Sequence, residues 1–124
     1  MNTNTIAKIS QIVFALVIIF LGMGHFTSAD KMVGAVPAYI PGGVLWVYIT
    51  GVALFLAGLA FIIQKQARLA GYLLGAMLLV FVLTIHLPAL LNAADEGAKT
   101  MAMMGLTKDI ALAAAAFFIG AKNA

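Results

Sequence analysis

Residues 69–91 read LAGYLLGAMLLVFVLTIHLPALL, a run without one charged side chain, bounded on its N-terminal side by Arg68. At about 1.5 Å per residue it forms a helix roughly 34 Å long, enough to cross the ~30 Å hydrocarbon core of a bilayer. Three further apolar runs flank it: Ile9 to Phe26, Val44 to Ile63, and a fourth that ends near Ala121 and begins between Met101 and Thr107. Hydrophobic residues make up 65% of the 124-residue chain and charged ones 9%, more apolar surface than a soluble domain of this size can cover. The expected fold is therefore all-α: a polytopic membrane protein with one four-helix transmembrane domain over residues 1–124 and spans at about 9–26, 44–63, 69–91 and 103–121.

The chain has no cysteine, which excludes self-contained thiol–disulfide chemistry, since that needs the protein's own thiolates. Its net charge of +3 resides on cations at the ends of the spans. There they set topology and meet lipid headgroups, so no nucleic-acid partner is expected. Lys8 and Thr27-Ser28-Ala29 give the first run some look of a signal peptide. The run is longer than the 7–15 residues of a typical signal core, however, and reads as a retained span. A transporter is disfavoured because four spans make a narrow bundle and no pair of interrupted spans suggests inverted repeats.

Alternating spans put Lys8, Lys65, Arg68 and Lys122 on one side with no acid. Lys31, Lys99 and Lys108 fall on the other, with Asp30, Asp95, Glu96 and Asp109. The excess of cations, above all in the short turn at 64–68, assigns the first side to the cytoplasm, and with it both termini. Tyr39, Trp46 and Tyr48 are then expected at the outer headgroup level and Tyr72 at the inner one. Small residues mark close helix approach: Gly22 in the first span, Gly51 and Gly58 in the second, Gly71 and Gly75 as a GxxxG pair in the third, and Ala113 to Ala116 with Gly120 in the fourth. The GxxxG pair serves equally as a contact within the bundle or as a homodimer seam.

Two histidines carry the polar signal. His25 lies 17 residues after Lys8 and His86 lies 18 after Arg68, which raises both to about 25 Å across the membrane. Asp109, 13 residues before Lys122, comes to about 20 Å, slightly deeper. One carboxylate and two imidazoles thus share a level at which they can converge, with Lys108 beside them. Pro88 has no N–H, which leaves the Thr84 carbonyl without its helical donor. The alternative is that both histidines merely end their helices at the interface, and that Asp109 is a first-turn acid in a helix capped by Thr107. If instead the fourth helix begins near Met101, Lys108 and Asp109 lie within the bilayer, where ionisable groups are functional by default. The segment from Met32 to Gly43, too apolar for a solvated loop and broken by Pro37 and Pro41, is expected to rest on the outer interface as a lid.

His25-Phe26, then Val36-Pro37 and Pro41, then Tyr48-Ile49-Thr50-Gly51 resemble, in order and spacing, the DoxX family of small bacterial four-helix membrane proteins, over about Ile9 to Ala121. The resemblance implies a bacterial inner-membrane location and a redox or quinone-linked role, the family being named for likeness to a subunit of thiosulfate:quinone oxidoreductase. His25, Pro37, Pro41, Thr50 and Gly51 are the positions that match. Many members carry a Glu soon after Thr-Gly, whereas here Thr50-Gly51 runs into Val52-Ala53-Leu54-Phe55.

Three readings follow. In the first, the protein is a quinone-linked or redox-accessory subunit, with quinone as its ligand. His25, His86, Lys108 and Asp109 would meet the quinone oxygens beneath the loop of Tyr39, and Trp46 would pack on the ring near Thr50. In the second, it is a non-catalytic accessory or lipid-binding subunit of a larger envelope complex, or a homo-oligomer. In the third, Met101, Met103 and Met104 join Met32 and the histidines to bind Cu(I), against which stands the common use of methionine as apolar filler.

Overall fold

A computed structural model describes residues 2–123, all of whose regular structure is helical. Helix α1 (Thr3–Thr27) starts where the Asn2 side chain accepts the Thr5 N–H at 2.8 Å, and stops where the Ser28 N–H turns back to the Gly24 carbonyl. One turn, α2 (Ala29–Met32), and a 3-10 turn, Val33–Ala35, lead into an irregular segment that ends at Gly42 and Gly43. Their φ angles of 111° and 49° are open to glycine at little cost, and they swing the chain into α3 (Val44–Ile63).

A short turn through Gln64 and Gln66, both left-handed, reverses the chain into α4 (Ala67–Phe81). A π-helical turn, Val82–His86, and α5 (Leu87–Leu91) continue it as a single rod over Ala67–Leu91. Finally α6 spans Glu96–Lys122. Four helices are thus long and apolar enough to cross a membrane, and the protein is a multi-pass, all-α four-helix bundle.

The fourth helix corrects the reading of its run. It begins at Glu96 rather than between Met101 and Thr107, because Asp95 caps it, accepting the Ala98 N–H at 2.7 Å. Lys99, Lys108 and Asp109 break the hydropathy of this stretch without breaking its helix, since backbone hydrogen bonding continues past a charged side chain. Thr107 is not a cap: its hydroxyl donates back to the Met103 carbonyl at 2.8 Å, in mid-helix.

The helices pack as two hairpins, α1 against α3 and α4 against α6, with thinner contact between α3 and α4. Glycines set both seams. A Cβ on Gly22 would lie 3.0 Å from the Gly51 carbonyl oxygen, so α1 and α3 meet backbone to backbone. A Cβ on Gly71 would come within 2.6 Å of the Ala116 carbonyl oxygen, and one on Gly75 within 2.7 Å of the Phe117 ring. The GxxxG pair is therefore consumed inside the bundle. Across the hairpins, Ile18 and Phe61 are fully enclosed, packed with Ala15, Ala113, Ala116 and Ile119.

Candidate functional site

The rod Ala67–Leu91 must pass Pro88, which cannot donate to the carbonyl four residues back. It does so by loosening: in the π turn the Leu87 N–H donates to the Val82 carbonyl, five residues back instead of four. His86 closes this wide turn and faces α6. Its Nε2 lies 2.8 Å from Asp109 Oδ2, with the ring nitrogen donating to the carboxylate. The ring fits because α6 has glycine at 105, where a Cβ would sit 2.7 Å from His86 Nδ1. Gly105 and Asp109 are four residues apart and so share a face of α6.

Asp109 is 13 residues from each end of α6, about 20 Å from either, and only 4% exposed. A bare carboxylate at that depth would be strongly disfavoured, but Asp109 has two partners. His86 holds one oxygen and Lys108 Nζ lies 3.3 Å from the other, so the carboxylate and ammonium cancel in charge. The Lys108 side chain is itself half exposed, and this second contact contributes less than the first. The reading of Asp109 as a first-turn acid is overturned; it is an ionisable group in mid-span.

His86, Asp109 and Lys108 line one end of a cavity of about 520 Å³ between the two hairpins. That volume is in the range that takes a small organic molecule. Apolar side chains such as Leu21, Leu54, Met77 and Phe81 make most of its wall, while Met32, Val36, Pro37 and Ile40 roof it. The segment from Met32 to Gly43 is thus a lid over the bundle. Trp46 and Thr50 join from α3, and His25 from α1. The His25 Nδ1–H donates to the Leu21 carbonyl at 2.7 Å, and the base of its side chain stands beside Gly51, where a Cβ would lie 3.0 Å from the His25 Cβ. His25 therefore shares the cavity with His86 and Asp109 from the opposite hairpin.

Other expected residues fall elsewhere. Tyr39 is 78% exposed and lines no part of the cavity; in the loop between Pro37 and Pro41 it is Ile40 that turns inward. Pro41 acts through its carbonyl, which accepts the Trp46 indole N–H and ties the lid to α3. Met101, Met103 and Met104 lie exposed along the first half of α6, apart from Met32 in the roof. Among the described residues no three His, Asp or Glu side chains assemble as a metal site. Gly22, Gly71 and Gly75 serve helix packing, as their spacing suggests.

Sequence reading singled out Thr84 for its carbonyl alone and missed it as a wall residue whose hydroxyl donates to the Val80 carbonyl at 2.7 Å; it passed over Gly105, which the Gly-x-x-x-Asp spacing in α6 would have disclosed. It also missed Gln11, a lone amide in an apolar run. Gln11 donates to the Phe61 carbonyl at 2.9 Å and accepts from Asn123 Nδ2 at 3.1 Å, joining the hairpins at the end of the bundle opposite the cavity.

No curated protein and no solved structure matches the chain. A family model described as Domain of unknown function (DUF8561) matches residues 14–120, a stretch that holds every polar residue of the cavity.

Proposed function

The chain belongs to this family of unknown function, and we propose that it is a DoxX-like membrane protein whose cavity binds a quinone-type molecule, as a quinone-linked or redox-accessory subunit. One observation carries the reading: an apolar cavity of about 520 Å³ within the membrane ends on a His86–Asp109 pair whose carboxylate is buried. A lipid-soluble ring partitions into such walls, and its oxygens need polar groups at one place, which the histidines and Lys108 supply. Trp46, fixed by the Pro41 carbonyl, offers a flat face at the lid. The DoxX resemblance implies a bacterial inner membrane, and the cation bias of Lys8, Lys65, Arg68 and Lys122 supports both termini in the cytoplasm.

The test is mass spectrometry of an organic extract from protein purified in native lipid, beside a His25→Ala, His86→Ala double variant. A quinone near one per chain in the wild type, absent from the folded double variant, is the expected result. Wild-type protein that retains only phospholipid or a protein partner refutes the proposal. That outcome selects a non-catalytic accessory or lipid-binding subunit, a reading supported by the apolar stretch Val52-Ala53-Leu54-Phe55 after Thr50-Gly51 and by the outward Leu45, Val52 and Leu56 of α3. An apolar groove of about 360 Å³ between α3 and α4 is where a second copy or a larger complex would dock under that reading.

A further inference from the structure

The hydrogen-bond ledger of the cavity wall is one-sided. The Trp46 indole N–H is given to the Pro41 carbonyl, the His25 Nδ1–H to the Leu21 carbonyl, and the His86 Nε2–H to Asp109. Both hydroxyls are spent as well, Thr50 on the Trp46 carbonyl at 2.9 Å and Thr84 on the Val80 carbonyl at 2.7 Å. Each of these donors is fixed by the protein's own backbone or by Asp109, before any ligand arrives. Only the Lys108 ammonium, with three N–H bonds and one acidic neighbour, keeps donors to offer.

What remains on the wall is lone pairs. A neutral imidazole that donates through Nδ1 accepts through Nε2, so His25 presents an acceptor, and the oxygens of Thr50 and Thr84 accept too. His86, which donates through Nε2, keeps the lone pair of Nδ1, beside Gly105, as a further acceptor. A ligand carbonyl set against His25 Nε2 would bring two acceptors face to face and leave both unpaired in an apolar cavity, whereas a ligand hydroxyl satisfies both.

We propose that the cavity selects a hydroxyl-bearing ring: the hydroquinone, in preference to the quinone, with one hydroxyl donating to His25 Nε2. The inference rests on the quinone-type reading above and specifies which member of the couple binds. Discrimination of this kind is strong where a site is built to pair with a ligand hydroxyl, since the analogue lacking it strands the protein's own polar group.

The experiment uses the full chain in lipid nanodiscs under anaerobic conditions and compares three probes: decylubiquinol, decylubiquinone, and the dimethyl ether of the quinol, which keeps the shape and removes both donors. The quinol is expected to bind about tenfold or more tightly than either of the others, the scale of one hydrogen bond made against one stranded acceptor. His25→Ala is expected to bring quinol affinity down to that of the quinone and to leave the quinone unchanged. The ligand series needs no variant, so it stands even if His25→Ala does not fold. Quinone or ether binding as tightly as quinol overturns the preference while leaving a quinone-type site in place. No binding by any of the three overturns the quinone-type reading itself, and the preference with it.

Discussion

At the end that carries both termini, the two helical hairpins press together; at the loop end, they part around a cavity. The packed end is built from small or apolar residues, with Ile18 and Phe61 enclosed by the alanines of α6, and is fastened by Gln11 between the Phe61 carbonyl and Asn123. The open end has a π turn, a proline, a lid and four charged or titratable side chains, and its hairpins meet through a cavity rather than a seam. In lipid, helices gain little by hiding apolar surface from one another, so close contact comes from backbones brought near and from hydrogen bonds. Where the alanines of α6 leave room for Ile18 and Phe61, the hairpins close on one another. Larger side chains and a widened turn keep it open.

The largest effect is expected from striking the packed end. Gly71→Ala puts a methyl group 2.6 Å from the Ala116 carbonyl oxygen and 2.7 Å from the Gly120 backbone, neither of which can yield without moving a helix. It should lower stability by about 3 kcal/mol in thermal unfolding in mild detergent. Equal stability to wild type would mean that α4 and α6 are not held by this seam.

At the open end, Asp109→Ala strands the His86 N–H in an apolar wall and should cost about 2 kcal/mol in the same assay. Asp109→Asn keeps an acceptor for His86 and should recover most of that loss. Should the two variants prove equally unstable, charge on Asp109 rather than its hydrogen bond would be what holds the open end together.

Gln11→Ala removes the link between hairpins and is expected to cost about 1 kcal/mol, leaving quinol binding at the far end unaltered. A change in binding equal to that from His25→Ala would show that the two ends are coupled. The smallest effect is Trp46→Phe, which frees the Pro41 carbonyl: global stability should fall by less than about 1 kcal/mol, while hydrogen exchange in residues 36–43 quickens. Unchanged exchange there would mean that the lid is fixed by its other contacts.

Much of this was legible in advance. Hydropathy disclosed four helices because it sums over neighbouring residues and reports the solvent around them; glycine spacing disclosed the seams because a missing side chain is a local fact. Equal counting from Lys8 and Arg68 brought His25 and His86 to one level, and both line one cavity. The start of α6 was misread for the same reason that hydropathy succeeded elsewhere: charges at 99, 108 and 109 lower a local average but leave the backbone bonding intact. Tyr39 was misplaced because a loop's inward and outward faces depend on its turns, not on its composition.

By itself the sequence determined that this protein is a bundle of membrane helices, how long most of them are, and that ionisable groups fall within reach of one level. Only the tertiary structure decided that α1 pairs with α3 and α4 with α6, that His86 rather than His25 meets Asp109, and that the wall's donors other than Lys108 are already spent. The physical reason is rotation. Each residue turns the helix by about 100°, and a helix apolar on every side carries no stripe to say which side faces lipid and which faces its neighbour. That choice is made where glycines let backbones touch and where a buried carboxylate finds its partners.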